Sequence, residues 1–314
     1  MGIKTCGLIG MGAIGVVYGD LLYQTYGENF TAIASEKRAE RLRREGILHN
    51  GKIFHPPVTE PGEGKPVDLL LVCVKNYQLR EAQEDMAPFV GPDTKILPLL
   101  NGITATDRLQ SAFPQACVFY GLTVVIDAVR SGREVMNTLN GIIQFGKAVN
   151  SPLTEEASSV RKYLQAAGID ARIPKDMIRG IWKKWMLNVG INQVSALTGA
   201  RYGQIAHVPQ ANALFVRAME EVLALAKAAK VDLREEDVEE YKKLIETFSP
   251  DAKTSMLQDM EAGRKTELED FSGVLLKLAS RYEVSVPINS VLYEALRAKE
   301  AIQLEAAYAA AREK

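Results

Sequence analysis

The sequence predicts an α/β protein of two domains: an N-terminal doubly wound parallel sheet in residues 1–174 and a C-terminal all-helical domain in residues 175–314. Three observations support this fold class. Short apolar runs alternate with helical periods in the first half, and after about Lys175 glycine becomes rare and strand-like runs vanish. The length of 314 residues also exceeds the usual size of a single hydrophobic core. Ile173-Pro174 is the expected boundary.

The first half reads as strands separated by helices. Its strand-like runs cover residues 3–9, 30–34, 67–74, 95–100 and 116–126, and its helical periods cover residues 13–25 and 36–45. The run at 67–74, V-D-L-L-L-V-C-V, is almost continuously apolar, as expected of a parallel strand covered on both faces. Residues 141–146 are expected to join the same sheet as an antiparallel strand.

The second half shows helical periodicity alone. The predicted helices cover residues 176–198, 209–230, 234–247, 267–281 and 288–312. The last of them carries an apolar row that could close a homodimer or cap its own domain. The members of this row are Leu292, Leu296, Ile302 and Leu304.

Composition argues against several classes of partner. The chain is 47% hydrophobic and 25% charged with a net charge of -1, and its two signs of charge are interspersed. We therefore expect neither nucleic-acid nor membrane binding, and no apolar stretch reaches the length of a membrane span. Cys6, Cys73 and Cys117 lie in apolar runs without the spacing of metal ligands. They indicate a reducing compartment, the cytoplasm, and no metal site.

A glycine-rich loop follows the first strand and opens the first helix. In G-x-G-x-x-G the first glycine makes a tight turn, the second admits a pyrophosphate to the backbone, and the third lets helix pack on strand. The helix N-terminus then attracts the phosphates. This context predicts a Rossmann-like dinucleotide site, formed by Gly10, Met11, Gly12, Ala13, Ile14 and Gly15.

The end of the second strand should contact the adenosine ribose, and its sequence permits two cofactors. Glu36 could bind the 2′-hydroxyl group and select NAD. Ser35, Lys37 and Arg38 could instead bind a 2′-phosphate and select NADP. One hydroxyl and two cations flank the single acid, so we favour NADP and keep NAD as the alternative.

Polar residues form a stripe on an otherwise apolar helix of the second half. Lys184, Asn188 and Asn192 are spaced by four residues, which places them on one helical face among side chains that normally enter a core. A buried polar group without a partner costs roughly 1 to 3 kcal/mol. Either internal partners satisfy this row or a ligand does.

Further polar residues lie at positions that suit a ligand. Lys75 and Asn101 close two predicted strands, at the carboxyl ends where open α/β sheets bind ligands. Ser255 and Glu267 belong to a polar segment that precedes a predicted helix. Each has a purely structural alternative: Asn101-Gly102 is a turn dipeptide, Ser255 a helix N-cap, and Glu267 a first-turn charge favoured by the helix dipole.

Five segments together resemble the ketopantoate reductase (2-dehydropantoate 2-reductase) family. The resemblance spans residue 3 to about residue 290. Its most specific part is the combination of two motifs, the helix Lys-x3-Asn-x3-Asn and the segment Ser-Met-Leu-Gln-Asp…Thr-Glu. This combination identifies the family more specifically than the glycine loop does. The segments are G-M-G-A-I-G at 10–15, V-C-V-K-N-Y-Q at 72–78, Asn101-Gly102, W-K-K-W-M-L-N-V-G-I-N at 182–192 and T-S-M-L-Q-D…R-K-T-E between 254 and 267.

The resemblance implies an enzyme that reduces 2-dehydropantoate to pantoate with hydride from NADPH, a step of pantothenate biosynthesis. It makes Lys184 the general acid and Glu267 its acidic counterpart. It places Lys75, Asn101 and Ala128 beside the nicotinamide half of the cofactor. The substrate would be held by Asn101, Asn188, Asn192 and Ser255.

Two departures from the family pattern affect what the resemblance implies. Ser35 stands where relatives commonly carry an arginine, which bears on NADP preference, and Gln193 stands where a proline is usual, so the helix is expected to run straighter. Two rival functions remain: a related dehydrogenase acting on another 2-oxo or hydroxy acid, and a non-catalytic NAD(P)H sensor. A sensor would need neither Lys184 nor Glu267.

Overall fold

The computed structural model describes residues 2–312, and the side chains of residues 304 and 306–312 lie outside that description. The chain divides into two compact units, Met1–Ile181 and Trp182–Lys314. The helix that begins at Met177 continues past this division, whereas the sequence places the boundary at 174, just before that helix.

The first unit contains all the strands of the described residues, in three sheets. Its strands are β1 (Cys6–Ile9), β2 (Phe30–Ile33), β3 (Ile47–His49), β4 (Lys52–Phe54), β5 (Val58–Thr59), β6 (Leu69–Val72), β7 (Lys95–Pro98), β8 (Cys117–Val118), β9 (Tyr120–Ile126), β10 (Val129–Ser131), β11 (Glu134–Met136), β12 (Asn140–Gly146) and β13 (Asp170–Arg172). Its helices are α1 (Ala13–Tyr26), α2 (Glu36–Glu45), α3 (Leu79–Met86), α4 (Ala105–Ala112) and α5 (Glu155–Ala166).

A six-stranded sheet forms the centre of this unit and confirms the predicted doubly wound fold. Its order is β5-β2-β1-β6-β7-β8, and every pairing is parallel. All four residues of β6 have no exposed surface, which accounts for the uninterrupted apolar run in the sequence. The reversal of strand order beside β1 brings the carboxyl ends of β1, β2, β6 and β7 to one edge of the sheet.

Two predictions about strands are wrong. Residues 116–126 form β8 and β9, which belong to different sheets. Strand β12 does run antiparallel, but its partner is β9 in a separate three-stranded sheet of order β13-β12-β9. A four-stranded sheet of order β10-β11-β3-β4 was also missed. Its strands are three residues long, too short for the alternation of apolar and polar residues to identify them.

Among its described residues the second unit contains helices and connecting loops but no strand, as predicted. It contains α6 (Met177–Thr198, whose first turn lies in the first unit), α7 (Tyr202–His207), α8 (Pro209–Ala228), α9 (Glu235–Glu246), α10 (Ser255–Glu261), α11 (Val274–Tyr282) and α12 (Pro287–Arg312). The short helices α7 and α10 were not predicted. The predicted helix 267–281 is in fact a π-helical turn, Glu269–Gly273, followed by α11.

The described side chains of helix α12 differ in how far they are buried. Leu292 and Leu296 are buried, whereas Ile302 is 66% exposed. The side chain of Leu304, the last member of the predicted apolar row, lies outside the described residues. Among the described helices none is long and apolar enough to cross a membrane.

Candidate active site

The glycine-rich loop has the geometry of a phosphate-binding turn. Gly10 has φ +98°, and a side chain there would meet the backbone of Cys73 and Val74 at 2.6 Å. A Cβ at Gly15 would overlap the carbonyl oxygen of Gly10, so only glycine lets α1 pack this closely. Gly12 differs, since a Cβ there would meet no atom within 4 Å. The open space lies at the N-terminus of α1, where backbone N–H groups attract a pyrophosphate.

The predicted ribose-binding residues follow β2, at the same edge of the sheet. Lys37 and Arg38 are exposed in the first turn of α2. The Ser35 hydroxyl donates to Asp85 Oδ2 on α3 at 3.2 Å, and the backbone N–H of Glu36 donates to Glu60 Oε2 at 3.2 Å. Two carboxylates that the sequence did not indicate therefore border this position. The sequence could not predict these two contacts, because Asp85 and Glu60 each lie at least 24 residues along the chain from the residue that they contact.

Lys75 and Asn101 follow the adjacent strands β6 and β7, and both are half-buried. Asn76, which is buried, joins these strand ends by donating its side-chain amide to the main-chain oxygen of Asn101 at 2.6 Å. The turn expected from Asn101-Gly102 is present, with Gly102 at φ +88°. Both strand ends therefore point at the edge that carries the glycine loop.

The segment between β9 and β10 also reaches the glycine loop. Ala128 and Met11 pack against the same hydrophobic cluster beside α1. The guanidinium of Arg130 donates from Nη1 to the main-chain oxygen of Met11 at 3.2 Å. Sequence reasoning missed Arg130, because the strand that carries it is too short to be recognised and so gave no reason to place it near the loop.

The polar stripe on α6 is a chain of hydrogen bonds. Asn192, which is 4% exposed, donates from Nδ2 to Asn188 Oδ1 at 3.2 Å. Asn192 Oδ1 accepts from the Ser255 hydroxyl and from the backbone N–H of Met256, both at 3.2 Å. Internal partners thus satisfy Asn192, while the side-chain amide nitrogen of Asn188 has no hydrogen bond among the described residues and can serve a ligand.

The structural alternative for Ser255 is wrong. The N-cap of α10 is Thr254, whose hydroxyl accepts from the backbone N–H of Leu257 at 3.3 Å. Ser255 is exposed and its hydroxyl bonds to the stripe. Glu267 does stand just before a helical turn, as its structural alternative requires, but it is only 3% exposed, so its carboxylate is enclosed by the fold.

Lys184 and Glu267 form the charged end of the site. Burial lowers the pKa of Lys184 from 10.5 to about 8, and the negative charge of Glu267 opposes that shift. A pKa of about 8 leaves the amine mostly protonated at pH 7, yet able to give up its proton easily. This pair can therefore protonate an oxygen that becomes negatively charged beside it.

The residues present in the first unit fit a nicotinamide dinucleotide. The open space over Gly12 suits a pyrophosphate, and Lys75 and Asn101 offer polar groups at the same sheet edge. Within residues 2–312, no group of three His, Cys, Asp or Glu side chains could hold a metal ion.

Comparison with known proteins identifies similar chains along almost the whole length. The family profile "Ketopantoate reductase PanE/ApbA" matches residues 6–150, and "Ketopantoate reductase PanE/ApbA C terminal" matches residues 176–300. YkpB of Bacillus subtilis (strain 168), an uncharacterized oxidoreductase, is 26% identical over 299 residues, which cover 94% of this chain and 98% of that protein. The 2-dehydropantoate 2-reductase of Aquifex aeolicus (strain VF5) is 26% identical over 304 residues, which cover 95% and 97% of the two chains.

Solved structures with a similar fold include a ketopantoate reductase and a mandelate dehydrogenase. A PanE/ApbA family ketopantoate reductase from Ralstonia eutropha JMP134 matches with a TM-score of 0.84 at 24% identity, over 95% of this chain and 99% of that chain. D-mandelate dehydrogenase, solved as a ternary structure with NADH and anilino(oxo)acetate, matches with the same TM-score, identity and coverage.

Proposed function

Because this chain belongs to the ketopantoate reductase family of oxidoreductases, we propose that it reduces the ketone of 2-dehydropantoate to the alcohol of pantoate with NADPH. The observation that carries the proposal is one arrangement in the second unit. Lys184 with a lowered pKa interacts with the buried Glu267, and the amides of Asn188 and Asn192 continue along the same face of α6.

The chemistry requires a proton donor at the ketone oxygen. The dinucleotide, when bound, supplies a hydride to the ketone carbon, which leaves an alkoxide on the oxygen. Lys184 stabilises this charge and donates the proton. Glu267 keeps Lys184 protonated at neutral pH, because its carboxylate favours the charged amine. After turnover, Lys184 recovers a proton from solvent.

The neutral polar groups suit the rest of a hydroxylated 2-oxo acid. Asn188 offers an amide nitrogen, and Ser255 offers a hydroxyl that is already oriented by Asn192. Asn101 is the remaining proposed contact, from the first unit. Hydrogen bonds to such groups orient a substrate without adding charge to the site.

We propose NADPH as the cofactor because the two exposed cations, Lys37 and Arg38, attract a 2′-phosphate. The nearby carboxylates of Asp85 and Glu60 act in the opposite direction, since they repel a phosphate and can accept from a ribose hydroxyl. Comparison of NADPH with NADH therefore belongs in the first assay. We further propose that the enzyme serves pantothenate biosynthesis in the cytoplasm. A homodimer is supported by one observation, the 66% exposure of Ile302 on α12, because a second copy would cover this apolar side chain.

The test is a steady-state assay of the purified protein. Loss of absorbance at the reduced-nicotinamide band is followed with 2-dehydropantoate and, in parallel, with phenylglyoxylate, the 2-oxo acid that corresponds to mandelate. Efficient turnover of 2-dehydropantoate with NADPH supports the proposal. A preference for phenylglyoxylate would show that the proposed substrate is wrong and that the proposed reaction, reduction of a 2-oxo acid, is right.

A Lys184→Met variant separates an enzyme from a sensor. An enzyme loses most turnover and keeps its dissociation constant for NADPH, because Lys184 lies outside the unit that carries the glycine loop. No oxidation of either cofactor by wild-type protein with any 2-oxo acid, together with tight cofactor binding, would contradict the proposed activity.

A further inference from the structure

The turn that follows Glu267 has an unusual backbone. Glu267 precedes the π-helical turn Glu269–Gly273, which continues directly into α11. A π-helical turn is rare, because it widens the helix and weakens its regular hydrogen bonding. Such a turn persists when surrounding groups hold it, and it is common at functional sites.

Helix α6 holds this turn at two points. The indole N–H of Trp185 donates to the main-chain oxygen of Asp270 at 3.1 Å. The Ser272 hydroxyl donates to Gln193 Oε1. Trp185 is 1% exposed, and Gln193 and Ser272 are fully buried, so water does not compete for these two hydrogen bonds.

Gln193 is itself fixed in orientation. Its Nε2 donates to the main-chain oxygen of Val189 at 2.7 Å and to Asn289 Oδ1 at 3.0 Å. Asn289 in turn donates to Glu221 Oε2 at 2.7 Å. With its nitrogen committed to these acceptors, Gln193 must present its oxygen to Ser272. These hydrogen bonds therefore fix the position of the π-helical turn relative to α6.

The two contacts lie directly beside the polar stripe. Trp185 follows Lys184, and Gln193 follows Asn192, so each contact shares a short stretch of backbone with a proposed site residue. We propose that Trp185 and Gln193 are positioning residues that hold the π-helical turn and thereby keep the Glu267 carboxylate beside the Lys184 amine. This inference rests on the proposed function, because it assigns Lys184 and Glu267 to catalysis.

Other charges near this region are engaged elsewhere. Lys183, the neighbouring cation on α6, bonds to Asp237 at 3.0 Å and to Glu240 at 2.6 Å on α9. Glu269 accepts from the hydroxyl of Tyr293 on α12 at 2.9 Å. The charge that acts on Lys184 is that of Glu267, so displacement of Glu267 has a defined consequence. Lys184 then loses the influence that raises its pKa and titrates at lower pH.

The first test measures the titration of Lys184 without turnover. Lys184 in the full-length protein is acetylated with acetic anhydride over a range of pH, and its modification is quantified by peptide mass spectrometry. Trp185→Phe removes the N–H and keeps an aromatic ring, and Ser272→Ala removes one hydroxyl. Both variants should shift the midpoint of Lys184 modification to lower pH. Trp182→Phe is the matched control, because the Trp182 ring packs edge-to-face against Trp185 and makes no hydrogen bond among the described residues.

The second test asks whether the effect passes through Glu267. In a Glu267→Gln background, Trp185→Phe should leave the midpoint of Lys184 unchanged, since no carboxylate remains to be displaced. In the active enzyme, each positioning variant should lower kcat by about 10- to 100-fold, with the KM for NADPH unchanged. Failure of the proposed activity would leave the modification assay intact.

An unchanged midpoint in both Trp185→Phe and Ser272→Ala, in protein that circular dichroism shows to be folded, would overturn the inference. Equal midpoint shifts with and without the Glu267 carboxylate would overturn it as well, because the contacts would then act on the fold in general. If one variant fails to fold, the other carries the test.

Discussion

The pH dependence of turnover gives the most informative prediction, because it follows from one group and one neighbour. Lys184 must be protonated to act as an acid, and its pKa is about 8. At pH 7 the protonated form of Lys184 outnumbers the neutral form by roughly tenfold. At pH 9 the ratio is reversed, and the neutral form outnumbers the protonated form by roughly tenfold. We therefore expect kcat to decline about tenfold per pH unit above pH 8.

The perturbation is Glu267→Gln, which removes the negative charge and keeps the shape of the side chain. Because that charge raises the pKa of Lys184, its loss moves the basic limb of the profile to lower pH. The variant should also have a lower kcat at pH 7, since less of its Lys184 is protonated. The companion variant Lys184→Met should lose about 10²- to 10⁴-fold in kcat, the usual contribution of a general acid.

Stability provides an independent check on Lys184. The folded state lowers its pKa from 10.5 to about 8, which corresponds to a cost on the order of 3 kcal/mol for the protonated amine. The sign is that of a depressed lysine: the cost is fully present below pH 8 and disappears as the pH rises toward 10.5. Removing the Lys184 amine also removes a positive charge that acts on the buried Glu267 carboxylate, so the Tm of Lys184→Met at a single pH does not isolate this cost. The cost is measured as a pH dependence: the Tm of wild type should rise relative to that of Lys184→Met as the pH increases from 8 toward 10.5.

The assay is initial-rate kinetics from pH 6 to pH 10 at saturating NADPH, with Tm measured at each pH. Three results would refute the reasoning: a basic limb that Glu267→Gln leaves in place, a Lys184→Met variant that keeps more than a tenth of wild-type turnover, or a Tm difference between wild type and Lys184→Met that stays constant from pH 8 to pH 10.

Three further predictions concern the cofactor and substrate. Gly12→Val should weaken NADPH binding by at least about tenfold with Tm unchanged by differential scanning fluorimetry, because the side chain would enter open space; unchanged binding would remove the loop from the site. Asp85→Asn should raise the ratio of kcat/KM for NADPH to that for NADH, and a fall in that ratio would contradict the assigned charge effect. Ser255→Ala should raise the KM for the 2-oxo acid with little loss of stability, whereas its neighbour Thr254→Ala should cost about 1 kcal/mol in urea unfolding as the lost cap of α10; the reverse pattern would reassign both hydroxyls.

Sequence patterns predicted those parts of the fold whose signal is local. The glycine loop lies on consecutive residues, and the structure shows the close backbone packing expected at Gly10 and Gly15 and open space at Gly12. The stripe of α6 was visible because a helix repeats about every four residues. Short strands such as β10 and β11 were not visible, since three residues carry too little alternation to distinguish a strand from a loop.

The contacts that join distant segments could not be predicted. Asp85 lies 50 residues from Ser35, and Ser272 lies 79 residues from Gln193, yet both pairs bond directly. Glu267 shows the same limit: its position before a helix suggested a first-turn charge favoured by the helix dipole, and only the packing of the second unit reveals that it is buried. Packing between distant segments decides which polar residues are buried, and the periodicity of apolar residues along the sequence does not predict that packing.

The central claim, hydride transfer to the ketone carbon of a 2-oxo acid, is tested most directly with NADPH deuterated at the transferable position of the nicotinamide. The purified protein is mixed with this cofactor and 2-dehydropantoate, and the product is examined by mass spectrometry. We predict pantoate that carries one deuterium on the former ketone carbon, formed in equal amount to the oxidised cofactor. Oxidation of the cofactor without labelled pantoate, or bound cofactor that is never oxidised, would contradict the account.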